Sequence, residues 1–389
     1  MSARLRRAWQ QQRIALILAA ILGLLVVGFL GFGWYVSGSI HNGALEVRHG
    51  EPEFHLEVVA VSDTEVTLRG DDSNLERRGL WGLEWRDEDG DATGYAQVGE
   101  VIEVAGDGLV RRALVPDSPA PPEGVSARLD NFAFPGDPST LGLDFQEVTF
   151  PAEDGDMPAW YVPGDGTTWA ILTHGKGADR REALRILPTL AERGLPALVV
   201  TYRNDVEAPS EISQYAYGAT EWQDLDAAVR FARSQGAERI VLVGYSMGGG
   251  ITMGFLERSE DTGLVVAAIL DAPMLDLRTI ARDELTAAGV PGLTQWWPLW
   301  LTAQRFDLDW ARTDYLPPRG PLEVPVLLFH GTADDVISVE LSDEFARLYP
   351  DQVEYHRIEG AHHVGAWNLD PAGYAEAVGA FLDRVLAEP

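Results

Sequence analysis

The stretch Val241-Leu242-Val243-Gly244-Tyr245-Ser246-Met247-Gly248-Gly249-Gly250 constrains the fold of this chain more than any other. Its β-branched apolar run reads as a buried strand, Gly-x-Ser-x-Gly as a sharp turn, and the residues beyond as a helix. That is the pattern of a nucleophile elbow, in which a strained strand-to-helix turn presents a serine hydroxyl at the sheet edge. Side chains at Gly244 and Gly248 would collide with the neighbouring strand and helix where the turn is sharpest. Glycine and serine also build ordinary turns. The flanking strand and helix, with candidate partners downstream in the right order, set this stretch apart.

A serine hydroxyl needs a base to take its proton and a third group to orient that base. In one fold that carries such an elbow, the chain order is serine, then acid, then histidine. Downstream, Val324-Pro325-Val326-Leu327-Leu328-Phe329-His330-Gly331-Thr332-Ala333-Asp334-Asp335 reads as a buried strand running into a loop with two carboxylates. Further on, Val353-Glu354-Tyr355-His356-Arg357-Ile358 reads as an alternating strand, and Glu359-Gly360-Ala361-His362-His363 follows it. Asp271, at the end of Ala268-Ile269-Leu270-Asp271-Ala272-Pro273, is a rival acid. The plainer reading of Asp271 is a strand-end carboxylate that shapes the turn before Pro273.

From about Leu143 onward the chain resembles the α/β-hydrolase superfamily of serine esterases and peptidase-like enzymes. His330-Gly331-Thr332-Ala333-Asp334 is similar to that family's acid loop, with the aspartate three residues after the glycine. The resemblance selects Asp334 as acid and leaves Asp335 as its neighbour. His363-Val364-Gly365-Ala366-Trp367 resembles the base loop, a histidine with an aromatic residue four positions later. His362 stands where the family usually has a second glycine, so His363 is expected as base and His362 as the alternative. The oxyanion needs donors already aimed at it. The N–H of Met247, just after the nucleophile, is one expected donor. Trp169-Ala170-Ile171-Leu172-Thr173-His174-Gly175-Lys176-Gly177 resembles the family's His-Gly loop, which implies the N–H of Lys176 as the second. There His174 reads as a loop-fixing residue rather than a second base.

The segment Ile14 to Val36 carries no charge, Arg4, Arg6, Arg7 and Arg13 precede it, and acid-rich sequence follows. About 20 apolar residues span a bilayer as a helix, whereas export-signal cores are usually 7–15. Residues 14–36 are therefore expected to be a transmembrane helix, with 1–13 as a cytoplasmic tail and the rest outside. Trp34 and Tyr35 fall where an outer aromatic belt would lie. The competing reading is a signal cleaved near Ser37-Gly38-Ser39. A net charge of −30 repels nucleic acid and anionic headgroups, so phosphate-backbone binding is excluded as a function class. The absence of cysteine excludes disulfides, thiolate metal sites and a cysteine nucleophile.

Residues 44–115 read as a small β-rich accessory module, with strands near Phe54–Val61, Glu65–Leu68, Leu80–Trp85 and Gly99–Val104. Asp87-Glu88-Asp89-Gly90-Asp91 lacks the spacing of an EF-hand loop and reads as an acidic surface turn. Pro-rich 116–124 reads as a stiff linker. From 125 to 389, strands near 145–162, 169–173, 197–202, 240–244, 265–270, 324–329 and 353–358 alternate with helices near 180–193, 217–235, 247–259, 339–349 and 371–387. That alternation predicts an α/β fold, a mostly parallel sheet with helices on both faces. An insertion at about 274–320 holds Trp296, Trp297, Trp300, Phe306 and Trp310. In the superfamily this position usually carries the cap, whose aromatics line a pocket or anchor the cap.

The expectation is a membrane-anchored, extracytoplasmic serine hydrolase that cleaves esters through an acyl-enzyme on Ser246, with Asp334 and His363. It requires no metal or organic cofactor. Its substrate is a small acyl ester or amide, a carboxylic ester first; peptidase-like and thioesterase activities use the same chemistry. A binding or scaffold protein on a hydrolase fold is the rival class, against which an intact Ser, Asp and His set argues. The partner of the β module is not legible.

Overall fold

A computed structural model describes residues 3–50, 52–86, 92–106, 108–209, 214–316 and 322–387. The acidic stretch 87–91 lies outside the described residues. The chain divides into two units, residues 1–46 with 278–311, and residues 47–277 with 312–389.

In the first unit, helix α1 (Ala3–Ile40) runs past both ends of the expected 14–36 span without interruption. It is the one helix among the described residues long and apolar enough to cross a membrane. Of the 274–320 insertion, α6 (Gly292–Phe306) packs against it, and α5 (Leu277–Ala287) joins the two in one buried apolar cluster. Val36 and Ile40 of α1 are buried with Ala281 and Leu285 of α5 and Leu299 of α6.

The second unit begins with a closed six-stranded antiparallel barrel. Its strands are β1 (Leu56–Val61), β2 (Glu65–Gly70), β3 (Trp81–Arg86), β4 (Ala92–Val104), β5 (Leu109–Leu114) and β6 (Ser126–Asp130), in the order β1-β2-β5-β4-β3-β6. Alternate residues fill it: Leu56 and Val58, Val66 and Leu68, Ala96 and Val98, Val110 and Leu114, Ala127 and Leu129. This corrects the expected boundary. β6 pairs with both β1 and β3, so it closes the barrel, and the Pro-rich 116–124 segment is a loop inside the barrel rather than a linker after it. That loop is tied down where Gly124 donates to the Val58 carbonyl (2.7 Å) and Val58 to the Val125 carbonyl (3.1 Å).

Arg112 shares the inward register of Val110 and Leu114 on β5 and is fully buried. A charge there is tolerated only if its donors are satisfied. Its guanidinium donates to the carbonyls of Gly99, Leu75, Arg77 and Gly79, pinning the β2–β3 loop. Burial lowers its pKa to about 10, so it stays charged at neutral pH.

The remaining strands are β7 (Gln146–Ala152), β8 (Gly155–Val162), β9 (Thr168–Thr173), β10 (Ala197–Val200), β11 (Arg239–Tyr245), β12 (Val265–Asp271), β13 (Val326–Gly331) and β14 (Val353–Ile358). They form one sheet in the order β14-β13-β12-β11-β9-β10-β8-β7, parallel from β14 to β10 with an antiparallel β7–β8 hairpin at one edge. Helices α2 (Leu187–Ala191), α3 (Trp222–Ser234), α4 (Met247–Arg258) and α7 (Val339–Leu348) lie between strands, and α8 (Ala366–Leu369) and α9 (Pro371–Leu386) follow the last one. Two expected helices are shorter than read. Arg180–Arg185 is a 3₁₀ turn ahead of α2, and α3 starts at Trp222 because Tyr217 and Gly218 have positive φ. Strand order reverses between β9 and β11, and loops beyond the carboxyl ends of such strands are where α/β sheets place ligands.

Candidate active site

Ser246 stands at that reversal, between β11 and α4. Its backbone is held at φ 50° and ψ −115°, a conformation a side chain rarely adopts. The strain is secured on both sides. Ser246 N–H donates to the Asp271 carbonyl (2.9 Å), and the Ser246 carbonyl accepts from Met274 (2.9 Å) and Gly249 (3.0 Å). The glycines act as expected. A Cβ on Gly248 would overlap the Thr173 carbonyl at the end of β9, and one on Gly244 would overlap the Gly248 carbonyl of the next turn.

The loops after β13 and β14 bring Asp334 and His363 to the serine. His363 Nε2 lies 2.8 Å from Ser246 Oγ, and His363 Nδ1 lies 2.8 Å from Asp334 Oδ2. With its proton on Nδ1, the ring donates to the carboxylate and accepts from the serine hydroxyl. Ser246, His363 and Asp334 form one continuous hydrogen-bonded chain. His362 is not part of it. It lies in the field of Arg77 and Asp335, and burial and the Arg77 charge lower its pKa.

The Asp334 side chain is fully buried. Its Oδ1 accepts from the N–H groups of Val336 (2.9 Å) and Ile337 (2.8 Å), and its Oδ2 lies 3.1 Å from His330 Nε2. His330 is oriented in turn by the Ser342 hydroxyl, 2.7 Å from its Nδ1. Burial alone would raise the Asp334 pKa. The hydrogen bonds from His330 and His363, the His363 charge and the Ile337 N–H overcome it and hold the carboxyl well below the usual carboxylate range. Asp335 points elsewhere, to Arg77 of the barrel (2.8 Å). Asp271, the rival acid, is buried, and no donor reaches hydrogen-bonding geometry at either carboxyl oxygen.

A cavity of about 240 Å³ opens on Ser246 and His363. Gly175, Lys176, Gly177 and Ala178 form one wall, and Asn131 and Phe132, just after β6, form another. Met247 opens α4, where the N–H has no intrahelical acceptor. The Lys176 loop is braced by His174 and Glu182. His174 lies 2.9 Å from both the Gly175 carbonyl and Asp205, and Glu182 accepts from Gly175 N–H (2.8 Å). Burial would lower the His174 pKa, but Asp205, the Gly175 carbonyl and Glu182 push it up to about 9. Both its nitrogens then carry protons, which makes His174 a fixed donor, as expected of a loop-fixing residue.

Four contributions were absent from the sequence reading: His330 as partner of the acid, Glu182 as brace, Asn131 and Phe132 as cavity wall, and the barrel's contact with both downstream loops. Besides Arg77–Asp335, Leu80 N–H donates to the Asn368 carbonyl (2.8 Å), and the Asn368 amide donates to the carbonyls of Leu80 (2.7 Å) and Asn131 (2.8 Å). Among the described residues, no group of three or more His, Asp or Glu side chains is placed to hold a metal ion.

Residues 189–388 match the model of the prolyl oligopeptidase family, and residues 57–130 match a domain of unknown function (DUF8805) that coincides with the barrel. Over 261 residues the chain is 24% identical to the uncharacterized protein YfhR of Salmonella typhimurium, covering 62% of this chain and 82% of that protein. Over 250 residues it is 24% identical to the uncharacterized protein MT2364 of Mycobacterium tuberculosis, covering 61% of this chain and 79% of the other. The solved structure of the Pyrococcus furiosus esterase Pf2001 superposes with a TM-score of 0.51 at 22% identity, over 64% of this chain and 96% of that one. That likeness is one of fold.

Proposed function

The chain belongs to the prolyl oligopeptidase family of α/β-hydrolases, and on that premise we propose that it is a membrane-tethered serine carboxylesterase working through an acyl-enzyme. Ser246 attacks the ester carbonyl while His363 takes its proton and returns it to the leaving alcohol. Asp334 keeps the histidine in the required tautomer and stabilises the imidazolium. The N–H groups of Met247 and Lys176 receive the oxyanion, each worth about 2.7–4 kcal/mol in such a site. Water then releases the acid, and no cofactor takes part. The observation that carries this reading is the chain of two 2.8 Å hydrogen bonds from Ser246 through His363 to Asp334.

The cavity of about 240 Å³ is small beside the roughly 300–1,000 Å³ of drug-sized pockets, which favours a short acyl group. A peptidase-like reading is favoured by the family description, since the same acyl chemistry opens an amide. The apolar stretch of α1, with arginines on its N-terminal side only, supports a single-pass anchor with a cytoplasmic N-terminus and the hydrolase outside.

A fluorophosphonate probe tests the assignment. The folded protein is expected to be labelled at Ser246, and Ser246→Ala to lose labelling and about 10⁶ in turnover with its melting temperature retained. Labelling that survives in Ser246→Ala would move the nucleophile elsewhere. Esters of graded acyl length, tested beside aminoacyl and peptide amides, separate the two readings. Short esters are expected to be the best substrates, and a clear preference for peptide amides would replace the esterase by a peptidase.

A further inference from the structure

The α5–α6 hairpin carries an apolar surface that the anchor and the hydrolase chemistry leave unexplained. Residues 285–304 contain no acidic or basic side chain, although Asp283, Glu284 and Arg305 stand immediately outside them. Leu293, Trp296 and Trp300 lie at i, i+3 and i+7 on one stripe of α6, exposed by 87%, 55% and 51%. Gln295, Thr286, Thr294 and Thr302 are satisfied within the hairpin, while the Trp297 indole N–H is buried without a hydrogen-bond partner. Gln295 Nε2 donates to Thr286 Oγ1 (3.0 Å) and the Val290 carbonyl (2.9 Å). Thr286, Thr294 and Thr302 each donate to a hairpin carbonyl (2.8 Å), of Arg282, Pro291 and Pro298 respectively. Water is not needed to complete these groups, which is the condition for backbone and polar side chains to enter hydrocarbon.

The contact with α1 sets the depth of the hairpin. Phe29 packs against Trp296 and Trp297, with ring centroids 6.4 Å and 6.0 Å apart. Gly33 leaves the room that the Trp297 indole occupies, since any Cβ there would collide with it. Further along both helices, Arg305 lies 3.8 Å over the Trp34 ring and donates to the Trp34 carbonyl (2.8 Å), and Phe306 stacks on His41. The two helices therefore run in the same direction, with the start of α6 level with Phe29. Phe29 is seven residues, about 10 Å at 1.5 Å per residue, inside the Val36 end of the uncharged segment.

We propose that the α5–α6 hairpin is a second membrane element: its tip enters the leaflet holding the C-terminal half of α1, and Leu293, Trp296 and Trp300 face phospholipid acyl chains. The proposal rests on the reading of α1 as a membrane span. If that span is in the bilayer, packing against Phe29 and Gly33 carries the start of α6 in with it, and the charges at 283, 284 and 305 mark the level of the headgroups.

Because the chain has no cysteine, one introduced thiol is labelled uniquely. Full-length Leu24→Cys, Leu293→Cys, Trp300→Cys and Glu340→Cys proteins would be nitroxide-labelled and reconstituted in phosphatidylcholine–phosphatidylglycerol vesicles. Accessibility to oxygen and to a neutral nickel chelate would then be compared. Positions 24, 293 and 300 are expected to favour oxygen, with nickel accessibility several-fold below that at 340. Nickel-accessible labels at 293 and 300, with 24 in lipid, would overturn the proposal and leave the anchor standing. A nickel-accessible label at 24 would sink both. Spin–spin broadening at 293 or 300 that disappears on dilution with unlabelled protein would mean that a second copy covers the face, and would also overturn it.

Discussion

Adjacent parallel strands of the hydrolase sheet lead to two buried aspartates, and their surroundings push them in opposite directions. Asp334, in the loop after β13, receives two backbone N–H groups and two histidines, and is held ionised far below neutral pH. Asp271, the last residue of β12, is equally shielded from water, and no donor is in hydrogen-bonding geometry at its carboxyl oxygens, the neighbouring Tyr374 hydroxyl included. Burial pushes its pKa up to about 7, against the opposing charges of Arg185 and His330. Burial is common to both, so the donors make the difference. An acid that must stabilise an imidazolium has to be charged before the histidine is, and only the β13 loop provides for that.

The largest effect should come from exchanging charge for amide at each site. Asp334→Asn is expected to lower turnover by about 10⁴, the scale for losing the acid of a serine triad through the wrong histidine tautomer. Asp271→Asn is expected to stay within about tenfold, because its side chain does not reach His363. Steady-state kinetics on a short ester measures both, and a larger loss at Asp271 would relocate the acid to β12.

A smaller effect is expected one step back from the reacting groups. His330→Phe keeps a ring in the buried site but removes a donor to Asp334. A hydrogen bond to a charged group is worth about 1.5–3 kcal/mol, so turnover should fall by about 10- to 100-fold. Wild-type turnover in this variant would mean that the backbone N–H groups and His363 alone set the state of Asp334.

The same contrast explains what was legible in the sequence. Ser246, Asp334 and His363 could be singled out because the proposed nucleophile, acid and base are particular residue types in a particular order, each next to a buried strand. Choosing His363 over His362 depended on resemblance alone, and the geometry brings His363 to the serine. His330 had a signal that went unread, a histidine closing an otherwise apolar strand. Arg112 had one as well, since strict alternation along Leu109–Leu114 puts it inside with Val110 and Leu114. The barrel's closure had none. Ser126–Asp130 is a short strand whose pairs Leu56–Ala127 and Gly82–Asp130 are 71 and 48 residues apart in sequence, and its Pro-rich approach is locally indistinguishable from a linker. Arg77 was equally silent, because its meaning lies in Asp335, 258 residues downstream.

The smallest effect sharpens the comparison through stability instead of rate. For Asp271 the ordinary pKa is 3.8 and the folded value about 7, so between these the folded chain keeps a proton that the unfolded chain has released. Stability therefore falls as pH rises from about 4 to about 7 and levels off above, where neither state holds the proton. Asp271→Asn cannot titrate, so its melting temperature should gain on wild type across that window and keep a constant lead beyond it. Asp334 has the opposite sign. Its folded pKa lies below 3.8, so its contribution is present above that pH and is lost only as the solution becomes more acidic. Asp334→Asn should be less stable than wild type at pH 7, with the deficit shrinking below about pH 4. Scanning calorimetry of the three proteins from pH 3 to 8 compares the slopes. If Asp271→Asn runs parallel to wild type between pH 4 and 7, Asp271 is solvated or partnered like any surface carboxylate. The contrast between the two strand ends would then disappear.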